Sequence, residues 1–105
     1  RLRSATAYLS TALATAWDAA ESGSGVELDH RIDIRLAAVH AAIESAAVAD
    51  TAFTLAGGTA VYDTSVLGRC QRDAHVVTQH IQTAPKLYEK IGRLRLGFDD
   101  DVSMF

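Results

Sequence analysis

The chain has 105 residues, a length that suits one domain with a modest core. Hydrophobic residues make up 49%, with alanine the largest share, and aromatics only 7%; that balance favours packed helices over a β-sandwich, because alanine leads the helix scale and has little β preference. A net charge of -3 with no basic arm or stripe argues against a nucleic-acid binder, and no apolar run approaches the ~20 residues of a membrane span.

The opening RLRSATAYLS has two arginines and apolar residues spaced as on a helix, unlike the continuous block of a signal peptide. A start inside a longer protein is expected. The first helix is predicted over Leu2 to Glu21, with Leu2, Leu9, Leu13 and Trp17 along one face and Ala5, Ala12 and Ala16 beside them. Ser22-Gly23-Ser24-Gly25 stops it, and so short a link makes the next helix an antiparallel neighbour. That helix is predicted from Asp29, as N-cap, to Ala56, with Ile32, Leu36, Val39, Ile43, Ala46 and Phe53 as its buried stripe. Asp50 falls on the same stripe and needs a partner or a route to water. Gly57-Gly58 ends or bends the helix. A third helix is predicted over Thr59 to His80, kinked near Gly68, with Tyr62, Val66, Cys70 and Val77 on a shared face. The fourth opens near Pro85, capped by Thr83, carries Leu87, Tyr88, Ile91 and Leu94, and frays before Gly97. Short links between four helices predict an all-α, antiparallel up-and-down four-helix bundle spanning residues 1–105.

The residues with chemical potential cluster between Ala56 and His80. Gly57 and Gly58 suit a helix C-cap, and equally a close backbone approach to a ligand. Arg69 and Arg72 project from adjacent turns. On spacing alone they belong to a solvated charged face; alternatively one pairs with Asp50 and the other remains free for an anion. His80 near a helix end reads by itself as a surface or capping residue. His75 stands five before it, whereas zinc pairs on helices prefer a spacing of four, so no metal is assigned. His30 and His40 show no partner pattern. Cys70 is alone, which excludes an internal disulfide, fits a reducing cytoplasm and suits a small packing residue.

Taken together, the long alanine-rich helix, the AGG at 56–58, the R-x-x-R-D of Arg69, Arg72 and Asp73, and a histidine about two turns later resemble the C-terminal domain of the acyl-CoA dehydrogenase superfamily. They resemble in particular its flavin-dependent monooxygenase branch. The resemblance runs from about Ile32 through Gly97. It implies a larger three-domain flavoenzyme, commonly a tetramer built through these bundles, with FMN or FAD held among the domains and against a second subunit. It implies an aromatic substrate and reduced flavin from a separate reductase. It places Gly57, Gly58, Arg69 and Arg72 beside the cofactor or the subunit contact that creates its pocket. His80 becomes the catalytic residue, assisting substrate deprotonation or donating a hydrogen bond near the flavin. The isolated chain is expected to be inactive. Two other readings stand beside this one: an FAD-dependent acyl-CoA dehydrogenase domain, and a non-catalytic helical oligomerisation module. No glutamate occurs between Glu44 and Glu89, which leans away from the carboxylate base of dehydrogenation.

Overall fold

The computed structural model describes all 105 residues, Arg1–Phe105. It is entirely helical: α1 (Leu2–Glu21), α2 (Leu28–Ala56), a 3-10 turn (Gly57–Val61), α3 (Val66–Gln79) and α4 (Leu87–Arg95). No helix is long and apolar enough to cross a membrane.

The core is centred on α2. Every packed helix pair includes it; α1, α3 and α4 each lie against α2 and not against one another. Contact order along the chain gives the directions. Arg1 reaches Glu44 at 3.3 Å and the Tyr8 ring faces His40, while Leu13 and Trp17 share a recess with Ile34, so α1 runs against α2. Gly68 meets Phe53, His75 reaches Asp50, and Ala74 and Val77 lie with Ala41 and Ala42, so α3 also runs against α2. Arg95 near the end of α4 bonds Asp33 and approaches Asp29, whereas Tyr88 near its start feels the charge of Glu44. The fourth helix therefore keeps the sense of α3 and follows it along α2. This differs from the alternating four-rod arrangement expected from the sequence. The physical reason is length: a 29-residue α2 extends about 44 Å at 1.5 Å per residue, enough to seat the 14-residue α3 and the 9-residue α4 one after the other.

Which faces are buried also departs from expectation. On α1 the alanine edge, Ala5, Ala12 and Ala16, is buried, while Leu2, Leu13 and Trp17 stay exposed. Small side chains let two backbones approach closely, and the bulky stripe is left on the outer side. On α2 the buried residues are Ile32, Ala37, Val39, Ala42 and Ala46, spread around more than one face because several neighbours press on it. On α3 the expected face of Tyr62, Val66, Cys70 and Val77 is exposed. Its inward side is Leu67, Gly68, Gln71, Ala74 and Thr78.

The helix ends explain the shifted boundaries. Glu27, not Asp29, is the N-cap of α2, and its N–H donates to His30 Nδ1 at 3.1 Å; His30 is a capping residue. Gly57 closes α2 with φ +67 and ψ -148, a conformation that excludes ordinary side chains. Gly57–Val61 tighten into the 3-10 turn, and α3 starts only after Ser65, whose hydroxyl accepts from the Leu67 N–H at 3.3 Å. Gly68 accordingly sits in the first turn of α3 and marks no kink. Thr83 does not cap α4: its hydroxyl donates back to the Val77 carbonyl, and the N-cap is Lys86.

Candidate functional site

The five residues singled out from the sequence all lie on α3 or its flanks, and the structure divides them into two groups. Gly57 and Gly58 stand at the start of the 3-10 turn, exposed, and a side chain at either would meet nothing within 4 Å. The backbone is open there. Arg69 and Arg72 emerge one to two turns into α3, both exposed, and neither forms an ion pair within the chain. The Arg72 guanidinium lies back along the helix: its Nη1 is 3.6 Å from where a methyl on Gly68 would sit, beside the Ala60 carbonyl. Glycine at 68 keeps that space clear.

His80 lies at the C-terminal end of α3, about 12–17 Å from the two arginines by helix rise. It is the C-cap, in extended conformation (φ -69, ψ 138), with its N–H donating to the Val77 carbonyl at 3.2 Å. Its ring is exposed and borders a 470 Å³ recess with Val76, Val77, Gln79 and Thr83. Nδ1 accepts the N–H of Gln82 at 3.2 Å. A neutral imidazole has one N–H, so acceptance at Nδ1 puts the proton on Nε2. The side chain is thereby arranged as a donor through Nε2.

A third cluster was only half visible in the sequence. Asp50 accepts from Gln71 Nε2 at 2.8 Å and from His75 Nε2 at 2.9 Å, both on the same Oδ1. An ionised carboxylate only accepts, so His75 carries its proton on Nε2. Gln71 and His75 are four apart and share a face of α3. Their bonds, that of Gln71 first, hold the Asp50 carboxyl below its usual 3.8. The alternative that paired Asp50 with Arg69 or Arg72 is thus corrected. Neither arginine reaches the carboxylate, which the shorter polar side chains Gln71 and His75 take instead.

Arg35 carries no motif that marks it in the sequence. From α2 it donates through Nη1 to both the carbonyl and the Oε1 of Gln82, each at 3.1 Å, and through Nη2 to the Met104 carbonyl at 2.6 Å. The 47-residue separation between Arg35 and Gln82 leaves no local pattern to read.

A model of the acyl-CoA dehydrogenase C-terminal domain matches residues 1–85. The chain belongs to this family. An indole-3-acetate monooxygenase from Pseudomonas putida is 38% identical over 96 residues, covering 91% of the chain and 25% of that protein. The chain thus spans a quarter of the length of the relative it matches. That relative agrees with the monooxygenase branch to which the R-x-x-R-D and the histidine pointed.

The first half of α3 and the turn before it carry the features that the anionic end of a flavin requires. A phosphate-bearing cofactor needs uncommitted cations and backbone that lets it come close. Arg69 and Arg72 supply the first and the open Gly57-Gly58 segment the second. These residues fit the anionic end of such a group.

Proposed function

We propose that residues 1–105 form the C-terminal helical domain of a larger, three-domain flavin-dependent oxidoreductase, a monooxygenase acting on an aromatic substrate in the cytoplasm. The observation that carries this reading is the 38% identity to an indole-3-acetate monooxygenase across nearly the whole chain. When bound, reduced flavin (FMN or FAD, supplied through a separate reductase) would furnish the two electrons and two protons with which one atom of molecular oxygen enters the substrate and the other leaves as water.

This domain's own residues bind, orient and donate protons. Arg69 and Arg72 neutralise phosphate charge, and the Gly57-Gly58 backbone permits close approach. His80, protonated on Nε2, would donate a hydrogen bond to the substrate at the reacting position. The apolar recess beside it, walled by Val76 and Val77, suits an aromatic ring. The arginines lie in the first half of α3 and His80 at its C-terminal end, a spread that suits an assembly in which one bundle serves two flavin pockets. The glycine-arginine end then faces the cofactor of a neighbouring subunit of a homo-oligomer, a tetramer by family resemblance. A dehydrogenase of acyl-CoA thioesters is less favoured, because no glutamate lies between Glu44 and Glu89 to serve as base.

The test uses the full-length enzyme with reduced flavin, oxygen and indolic or phenolic substrates. Hydroxylated product is expected, and His80→Ala is expected to lower its formation about a hundredfold, the scale of a lost proton-handling group, with helix content intact. Wild-type turnover in the variant would remove His80 from the reaction, and oxidation of an acyl-CoA thioester in place of hydroxylation would overturn the monooxygenase reading.

A further inference from the structure

We infer that Arg35 is a positioning residue for His80, acting through Gln82; the inference rests on the role given to His80 above. His80 lies beyond the last helical turn of α3, where its backbone is extended. Nothing in the helix itself fixes its ring. The ring is oriented by one bond, from the Gln82 N–H to Nδ1, so the aim of Nε2–H depends on where the Gln82 peptide is held.

Three contacts hold it. Thr83 N–H donates to the His80 carbonyl at 2.9 Å and closes a tight turn. The Thr83 hydroxyl ties that turn to the Val77 carbonyl at the end of α3. Arg35 grips both the Gln82 carbonyl and its side-chain oxygen with one nitrogen. The first two contacts anchor the turn to α3 only. Of these hydrogen bonds, those of Arg35 are the ones that reach α2, the helix around which the molecule is built.

Arg35 is itself braced on its far side. Nη2 donates to the Met104 carbonyl, and the guanidinium lies 5.7 Å from the Phe105 ring centroid. A planar guanidinium fork occupied at both nitrogens has little rotational freedom, and a lysine ammonium offers no equivalent of two fixed donors on opposite sides. Arg35 does not line the His80 recess and makes no hydrogen bond to His80; its influence on the chemistry passes through the Gln82 peptide. Misplacing a catalytic group by an ångström or so costs rate without unfolding the protein.

The experiment is a double-mutant cycle in the full-length enzyme with reduced flavin, oxygen and the aromatic substrate, combined with deuterium uptake over residues 80–84. Arg35→Ala is expected to lower kcat about tenfold, with KM unchanged. The same substitution is expected to change nothing further when His80 is already alanine. Deuterium uptake at Gln82 and Thr83 should rise, with the interior of α3 unaffected. Arg35→Lys should behave like the alanine variant, and it provides the measurement if Arg35→Ala fails to fold. Independent, multiplying losses in the double mutant would overturn the inference while leaving the role of His80 standing. Unchanged uptake at residues 80–84, or full activity in Arg35→Lys, would also overturn it. Wild-type turnover in His80→Ala alone would instead sink the role of His80, and with it any catalytic consequence of Arg35.

Discussion

Asp50 accepts two hydrogen bonds on one oxygen, from Gln71 and His75, and so links α2 to α3 through a charged group still in contact with water. These bonds favour the ionised form, which is why the carboxyl titrates below 3.8. A depressed folded-state pKa contributes stability that is present above the unfolded value and is lost as pH falls through the folded value. Asp50→Asn is therefore expected to melt slightly below the wild type at pH 7, with the gap closing as the pH drops below about 3.8. Thermal melts of both proteins at several pH values check this, and a gap that persists at the acid end would mean that the contact is not charge-dependent. The need of Asp50 for a partner was legible from its place on an apolar stripe. The partners were not, because Gln71 and His75 meet it only after the chain reverses through the 3-10 turn. Arg35 escaped for the same reason: its targets, Gln82 and Met104, are distant in sequence and distinguished by no residue type. The family was legible because the R-x-x-R-D and the histidine that carry the resemblance lie on one continuous segment.

At the scale of elements, the boundaries of α1 and the end of α2 were readable from local chemistry: the Ser-Gly link and the glycine pair act on the backbone wherever they occur. The start of α3 was not, since five residues of 3-10 turn continue the helical pattern while changing its pitch. Gly68 shows the consequence. In a helix interior, glycine to alanine gains about 1 kcal/mol of propensity. Here a methyl would lie 3.3 Å from the Ala60 carbonyl oxygen and 3.8 Å from the Phe53 ring. The 3-10 turn presses α3 closely enough to offset most of that gain. Gly68→Ala is expected to be near neutral, and Gly68→Val to lose about 1–3 kcal/mol through overpacking. Urea midpoints of the two variants separate these outcomes. An equally tolerated valine would mean that the turn is loosely seated, and the proposed clear space for the Arg72 guanidinium would lose its structural basis. The same tight seat explains why the exposed and buried faces of α3 exchanged relative to expectation. The rotation of a short helix is set by its closest contact, here Gly68 on Phe53 and Ala60, and the scattered apolar residues Val66, Cys70 and Val77 do not outweigh it.

The whole molecule is extended and thinly cored. Its radius of gyration is 16.7 Å, against about 13 Å for a compact chain of this length, and only 13 of 105 residues are buried. Trp17, 67% exposed, borders a 580 Å³ recess with Leu13, Val26 and Ile34. A cofactor pocket usually encloses most of its ligand's surface. Neither end of α3 does so: the glycine-arginine end is open backbone with free guanidinium groups, and the His80 recess is a shallow surface. In the proposed flavoenzyme the remaining walls come from other domains and a neighbouring subunit. The 105-residue chain is therefore expected to bind FMN or FAD at least about a hundredfold more weakly than the full-length protein, a deficit of about 2.7 kcal/mol in binding free energy. Flavin fluorescence titrations of both proteins measure the difference directly. Arg69→Ala and Arg72→Ala in the full-length protein should each weaken binding in a salt-sensitive way, since their contribution is a charge meeting phosphate. If the short chain bound flavin as tightly as the long one, α2 and the three helices around it would already contain a complete site, and the division of the pocket between this domain and its neighbours would be wrong.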